Sequence, residues 1–120
     1  MQKKNMSMLL VVCISVFSVY QLGASNLSFL KYALITDFTE KDIQQLSQEY
    51  KQVLDKNKPG DVHKWQSAET KVGGEITVIK QYRQNANLCK RLMFKSYSAK
   101  QSATSYFNFC MLERQWTLVN

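Results

Sequence analysis

The chain has 120 residues, of which 45% are hydrophobic and 12% aromatic, and its formal net charge at pH 7 is +7. This length leaves room for one small domain, and the apolar content excludes an intrinsically disordered protein. Residues 25–61 carry five basic and six acidic side chains, whereas residues 62–120 carry nine basic and three acidic ones. The C-terminal half could therefore face nucleic acid, an anionic lipid surface or an acidic protein, or it could be a soluble basic surface.

Residues 1–24 have the features of a secretory signal peptide in the usual order. Lys3-Lys4 gives a positive start, residues 6–20 form an apolar run, and Gly23-Ala24 supplies small residues. The run is shorter than the ~20 residues of a membrane-spanning helix. We therefore expect cleavage after Ala24 and export, with an uncleaved membrane anchor as the alternative.

Export would leave a lead-in segment, residues 25–38, and a single domain, residues 39–120. Cys13 lies within the apolar run and would be discarded with it. The branched Val12 before it does not suit a lipidation site, which requires a small residue there. The domain would then keep two of the three cysteines.

Residues 39–55 are predicted to form an amphipathic helix. Thr39 can cap its N-terminus, and Asp42, three residues later, can complete a capping box. Pro59-Gly60 ends the helical pattern. The apolar side chains recur at helical spacing, which predicts that one side packs on the domain's own sheet rather than on a partner helix or a membrane. These side chains are Ile43, Leu46, Tyr50, Val53 and Leu54.

The rest of the chain is predicted to form four or five antiparallel strands. The candidates are residues 62–68, 75–83, 88–98, 103–113 and 115–119. In the second candidate, alternation assigns Ile76, Val78, Lys80 and Tyr82 to one side and Thr77 and Ile79 to the other. The expected fold is therefore α+β, one amphipathic helix packed on a small antiparallel sheet.

Two cysteines fall opposite each other when the third and fourth strands are paired about a turn near Ala99-Lys100. In this register Cys89 faces Cys110 and Arg91 faces Asn108, while the other side becomes strongly apolar. An even pair of cysteines in a small exported domain is normally bonded. We expect a Cys89–Cys110 disulfide that contributes about 3 kcal/mol. The apolar side chains of the other side are Leu88, Leu92, Phe94, Phe107, Phe109 and Met111.

The order of several residues resembles the C-terminal domain of the 17 kDa outer-membrane surface antigen family of Gram-negative bacteria. These residues are Trp65, the segment Gly73-Gly74-Glu75-Ile76-Thr77-Val78, Tyr82, Cys89-Lys90-Arg91, Cys110 and Gln115-Trp116. The likeness covers roughly residues 40–120. This chain has Cys-Lys-Arg where the family has Cys-Arg, has Gln115 where a Gly is usual, and lacks the family's glycine-zipper segment. The resemblance implies an envelope protein and brings no catalytic residues with it.

No catalytic, metal-binding or cofactor-binding pattern is found. His63, the only histidine, has no recognised spacing to a nucleophile or a carboxylate cluster, and we expect it to lie on the surface at the start of a strand. The cysteines form no CxxC pattern. We therefore expect a protein that is not an enzyme and has no cofactor.

A basic and aromatic surface on the sheet is the candidate interaction site. Its predicted residues are Lys80, Tyr82, Arg91, Lys95 and Tyr97. With Lys90 they could also bind nucleic acid, but export makes that partner unsuitable. We expect a structural or interaction protein of the periplasm or outer membrane, with an envelope protein as partner and an anionic membrane or the cell wall as a further candidate. The alternative is a soluble periplasmic binder or inhibitor of a cell-wall-active enzyme.

Overall fold

The computed structural model describes residues 37–119, which form one α-helix followed by a five-stranded antiparallel sheet. The elements are α1 (Glu40–Lys56), β1 (Val62–Gln66), β2 (Gly73–Gln84), β3 (Asn87–Tyr97), β4 (Ser102–Leu112) and β5 (Gln115–Leu118). The strands lie side by side in chain order. The predicted α+β fold is confirmed. The signal peptide predicted at residues 1–24 and most of the lead-in segment lie outside the described residues.

Helix α1 begins with the predicted capping box. The Thr39 hydroxyl accepts a hydrogen bond from the Asp42 N–H at 3.2 Å, and Asp42 Oδ2 accepts one from the Thr39 N–H at 2.9 Å. Asp42 is only 1% exposed and also accepts a bond from the Thr70 hydroxyl at 2.8 Å. Capping therefore ties the start of α1 to the β1–β2 loop, a contact that the local sequence pattern does not reveal.

The hydrophobic core lies between α1 and one face of the sheet. All five apolar side chains of the predicted helical stripe are at most 7% exposed. They pack against Trp65, Val72, Ile76, Val78, Leu92, Phe94 and Phe109. The prediction that α1 packs on its own sheet is thus confirmed. We call the sheet face that contacts α1 the inner face and the opposite one the outer face.

The predicted register of β3 and β4 is also confirmed, including the opposition of Cys89 to Cys110 and of Arg91 to Asn108. Of the six apolar side chains predicted for the inner face, three are at most 1% exposed and three are half-buried. The half-buried ones are Leu88, Phe107 and Met111. Strand β1 ends at Gln66, two residues earlier than predicted.

Two glycines at the start of β2 allow close packing with its neighbours. A Cβ atom on Gly74 would lie 2.2 Å from the Lys95 carbonyl oxygen and 3.1 Å from Trp65 Nε1. A Cβ atom on Gly73 would lie 2.6 Å from the Trp65 carbonyl oxygen. Two adjacent glycines often mark a turn, but this pair lies within β2 and lets Trp65 enter the core. Within residues 37–119, no helix combines the length and apolar character needed to cross a membrane.

Candidate interaction surface

A disulfide joins Cys89 of β3 to Cys110 of β4, as predicted. Both side chains are buried, although the strand pairing assigns them to the outer face. Cys89 lies opposite Tyr82 on one side, and Cys110 lies opposite Thr117 on the other. The disulfide therefore lies beneath neighbouring side chains at one end of the outer face.

A β-bulge in β2 decides which side chains share the outer face. Val78 lies opposite Leu92, but the next opposed pair is Lys80 with Arg91, so Ile79 is an extra residue in β2. An extra residue reverses the side to which all following side chains point. The prediction that Ile76, Val78, Lys80 and Tyr82 lie on one side of β2 is therefore wrong. Lys80 and Tyr82 lie on the outer face, whereas Ile76 and Val78 lie on the inner face.

The bulge brings all five predicted surface residues together. Arg91, Lys95 and Tyr97 alternate along β3, and opposed residues of an antiparallel pair share a face, so they lie on the same side as Lys80 and Tyr82. Lys80 and Lys95 are exposed, Tyr97 is 41% exposed, and the other two are half-buried. The predicted set therefore forms one continuous surface on β2 and β3.

Tyr106 of β4 extends this surface, although it was not among the predicted surface residues. It is 47% exposed, and the Arg91 guanidinium carbon lies 5.1 Å from the centre of its ring. The Lys80 ammonium group lies at the same distance from the Tyr82 ring. The predicted register opposes Arg91 to Asn108, and Tyr106 is two residues from Asn108 and so on the same face. The signal for Tyr106 was therefore present in the sequence. Two cation–π pairs therefore organise the surface.

The strand residues of the outer face carry an excess of positive charge. Their basic side chains are those of Lys64, Lys80, Arg91 and Lys95, and the acidic one is that of Glu75. Glu75 lies opposite Lys64 of β1 and Lys95 of β3. The positive charges of Lys80 and Arg91 are therefore less balanced by acidic side chains on this face. Such a surface favours an acidic partner.

Lys90 does not belong to the outer face. It lies on the inner side of β3, is 5% exposed, and its ammonium group donates hydrogen bonds to the carbonyl oxygens of Leu54 at 2.7 Å and Asn57 at 2.8 Å. Burial lowers the pKa of Lys90, and the nearby Asp55 carboxylate opposes that shift. Lys90 therefore holds the C-terminus of α1 rather than a nucleic acid phosphate, which corrects its grouping with the exposed basic residues.

His63 has a structural partner that the sequence pattern did not reveal. Its Nε2 lies 2.6 Å from Glu49 Oε1 of α1, and its side chain is about one quarter exposed. His63 thus lies at the start of β1, as expected, but it is a half-buried link between β1 and α1 rather than a surface residue. Among residues 37–119, no group of three or more His, Cys, Asp or Glu side chains is placed to hold a metal ion.

Comparison with protein-family models, curated proteins and solved structures finds no match to this chain. The resemblance to the 17 kDa surface antigen family therefore stays a hypothesis that rests on the Trp, Gly, Tyr and Cys positions given above. The geometry of the outer face carries the functional argument.

Proposed function

We propose that this protein is an exported, non-catalytic component of the cell envelope that binds an acidic protein partner through the outer face of its sheet. The observation that carries the proposal is the gathering of Lys80, Tyr82, Arg91, Lys95 and Tyr97 on one exposed face. Tyr and Arg are enriched at protein interfaces, where they supply much of the binding energy, and the two lysines add the positive charge that favours an acidic partner.

The disulfide supports the exported compartment. Stable disulfides form in oxidising compartments such as the bacterial periplasm and are rare in the cytosol. The bond is buried and lies between adjacent strands, which suits a structural role. Together with the predicted signal peptide, it favours the periplasm or the periplasmic side of the outer membrane as the working location.

The outer face can be tested by reversing its charge without changing the core. The full chain is expressed in a Gram-negative host as the wild type, as Arg91→Glu/Lys95→Glu and as Lys41→Glu/Lys58→Glu. The third protein has the same net charge as the second, but its changes lie on exposed residues of α1 and the following loop. Intact mass confirms processing and the disulfide, and sedimentation of the envelope extract gives the size of the complex.

We expect the wild type and the Lys41/Lys58 variant to sediment in a large, salt-sensitive complex and the Arg91/Lys95 variant to sediment as a free monomer. The loss follows because like charges across an interface oppose association. A complex that survives in the Arg91/Lys95 variant would refute the outer face as the binding surface. A wild-type monomer in the periplasmic extract would instead favour the soluble binder or inhibitor.

A further inference from the structure

A concave surface, separate from the residues of the proposed partner surface, lies between the C-terminal half of α1 and the β4–β5 turn. It is an open groove of about 290 Å³, which is near the lower limit for a small-molecule site. Its lining residues are Tyr50, Lys51, Asp55, Arg114, Gln115 and Trp116. Since none of them belongs to the outer face set tested above, a function of this groove does not depend on the proposed protein partner.

The indole ring of Trp116 is held in place at this groove. Its Nε1 donates a hydrogen bond to Asp55 Oδ1 at 3.0 Å, and the Lys90 ammonium group lies 5.6 Å from the ring centre. Lys90 is itself bound to the Leu54 and Asn57 carbonyl oxygens at the end of α1. A ring fixed in this way loses little conformational entropy on binding a ligand.

The β4–β5 turn places a cation at the groove in an unusual backbone conformation. Glu113 and Arg114 have φ angles of 50° and 66°. Consecutive positive φ angles in a two-residue hairpin turn favour Asn-Gly, and each costs a larger residue about 1 kcal/mol. The strained turn carries Arg114 to the groove, and Lys51 of α1 supplies a second exposed cation there.

We propose that this groove binds an acidic saccharide, a sugar ring that bears a carboxylate. The flat C–H face of a pyranose matches the indole ring of Trp116 in shape and polarity. Arg114 and Lys51 can bind the carboxylate through charge-assisted hydrogen bonds. The Asp55 carboxylate and the Gln115 amide can bind ring hydroxyls, which a purely aromatic acid would leave unpaired.

The test uses the two indole N–H signals of the full chain in a ¹H–¹⁵N NMR titration. The sequence has two tryptophans, and Trp65 is only 5% exposed, so its signal serves as an internal control. The probes are glucuronic acid, glucose and acetate. We expect glucuronic acid to shift the Trp116 signal in a saturable way, with glucose and acetate each binding about tenfold more weakly because each supplies only half of the contacts.

Two glutamine variants identify the cations involved. Arg114→Gln and Lys51→Gln should each weaken glucuronic acid binding about tenfold, whereas Lys58→Gln, an exposed lysine outside the groove lining, should not change it. An unmoved Trp116 signal, an equal response to acetate, or unchanged binding in both groove variants would each overturn the proposal. The Arg91→Glu/Lys95→Glu protein should bind the sugar normally, so this result separates the groove from the proposed partner surface.

Discussion

Lys90 shows how one buried side chain can join three elements. It extends from β3 to the last carbonyl groups of α1 and lies over the ring of Trp116 in β5. A lysine is rarely this buried unless its ammonium group is paired. Cations near a helix C-terminus also interact favourably with the helix dipole. Lys90 therefore helps to fix the position of the C-terminal end of α1 on the sheet.

We predict that Lys90→Met lowers the free energy of unfolding by about 2 kcal/mol, because the Leu54 and Asn57 carbonyl oxygens lose their buried donor. Chemical denaturation at pH 7 measures the change. Lys95→Met is the matched control, since Lys95 is exposed on the same strand, and it should alter stability by no more than about 0.5 kcal/mol. Equal stability of the two variants would show that the Lys90 bonds contribute nothing net.

The residues that sequence reasoning placed correctly are those governed by local period. The helical stripe from Ile43 to Leu54 follows from apolar residues spaced three to four apart. The opposition of Cys89 to Cys110 follows from the two-residue period of paired strands. Lys90 and His63 were misplaced because their partners lie far along the chain. Lys90 donates a hydrogen bond to the Leu54 carbonyl oxygen, 36 residues earlier in the chain, and no sequence pattern around Lys90 predicts its burial.

At the scale of whole elements, the bulge in β2 is the main feature that the alternation pattern did not predict. The consecutive apolar residues Val78-Ile79 and the consecutive polar residues Lys80-Gln81 interrupt the alternation of residues 76–82, but a strand without a bulge was the simpler prediction. The structure instead inserts Ile79, which is 41% exposed, and turns the basic half of β2 outward. A regular strand would have pointed Lys80 and Tyr82 toward the inner face. The bulge thus interrupts the regular strand and keeps Ile76 and Val78 on the inner face while Lys80 and Tyr82 lie on the outer face.

The N-terminus of α1 carries an acid-sensitive contact at Asp42. Burial alone would raise the pKa of Asp42, but hydrogen bonds from the Thr39 N–H and from the hydroxyls of Thr70, Thr39 and Ser67 together lower it below its usual value. A lowered pKa in the folded state means that the unfolded chain binds the proton more tightly. The contribution of Asp42 to stability is therefore present above pH 3.8 and is lost as the pH falls through the lower folded-state value.

We predict that Asp42→Asn lowers the free energy of unfolding at pH 7 by about 1–2 kcal/mol, because the amide accepts fewer hydrogen bonds than the carboxylate and bears no charge near the helix N-terminus. The difference between wild type and variant should shrink below pH 3.8, where the wild type also loses the carboxylate. Denaturation across pH 2–7 checks both statements. Glu40→Gln, a change at an exposed neighbour in the first turn, is the control. A difference in the free energy of unfolding between wild type and Asp42→Asn that does not change with pH would contradict the coupling of Asp42 ionisation to folding.

At the scale of the whole molecule, the described part of the chain is a helix on an open sheet with one disulfide. A core of this size leaves only a modest stability, on the order of 5 kcal/mol. The disulfide closes a loop with a sequence separation of 21 residues, and such a loop contributes about 3 kcal/mol in the chain-entropy model. The bond lies between β3 and β4, the strands that supply Arg91 and Tyr106 to the outer face, so it also limits their relative movement.

We predict that Cys89→Ser, Cys110→Ser and the double variant each lower the free energy of unfolding by about 3 kcal/mol, because any of them opens the same loop. Near-equality of the single and double changes is the diagnostic result, since two independent packing losses would instead add. Thermal and urea denaturation of oxidised and reduced wild type supply the reference. A reduced wild type as stable as the oxidised one would show that hydrophobic packing alone maintains the domain. The disulfide would then be dispensable for folding and would no longer support an oxidising compartment as the working location.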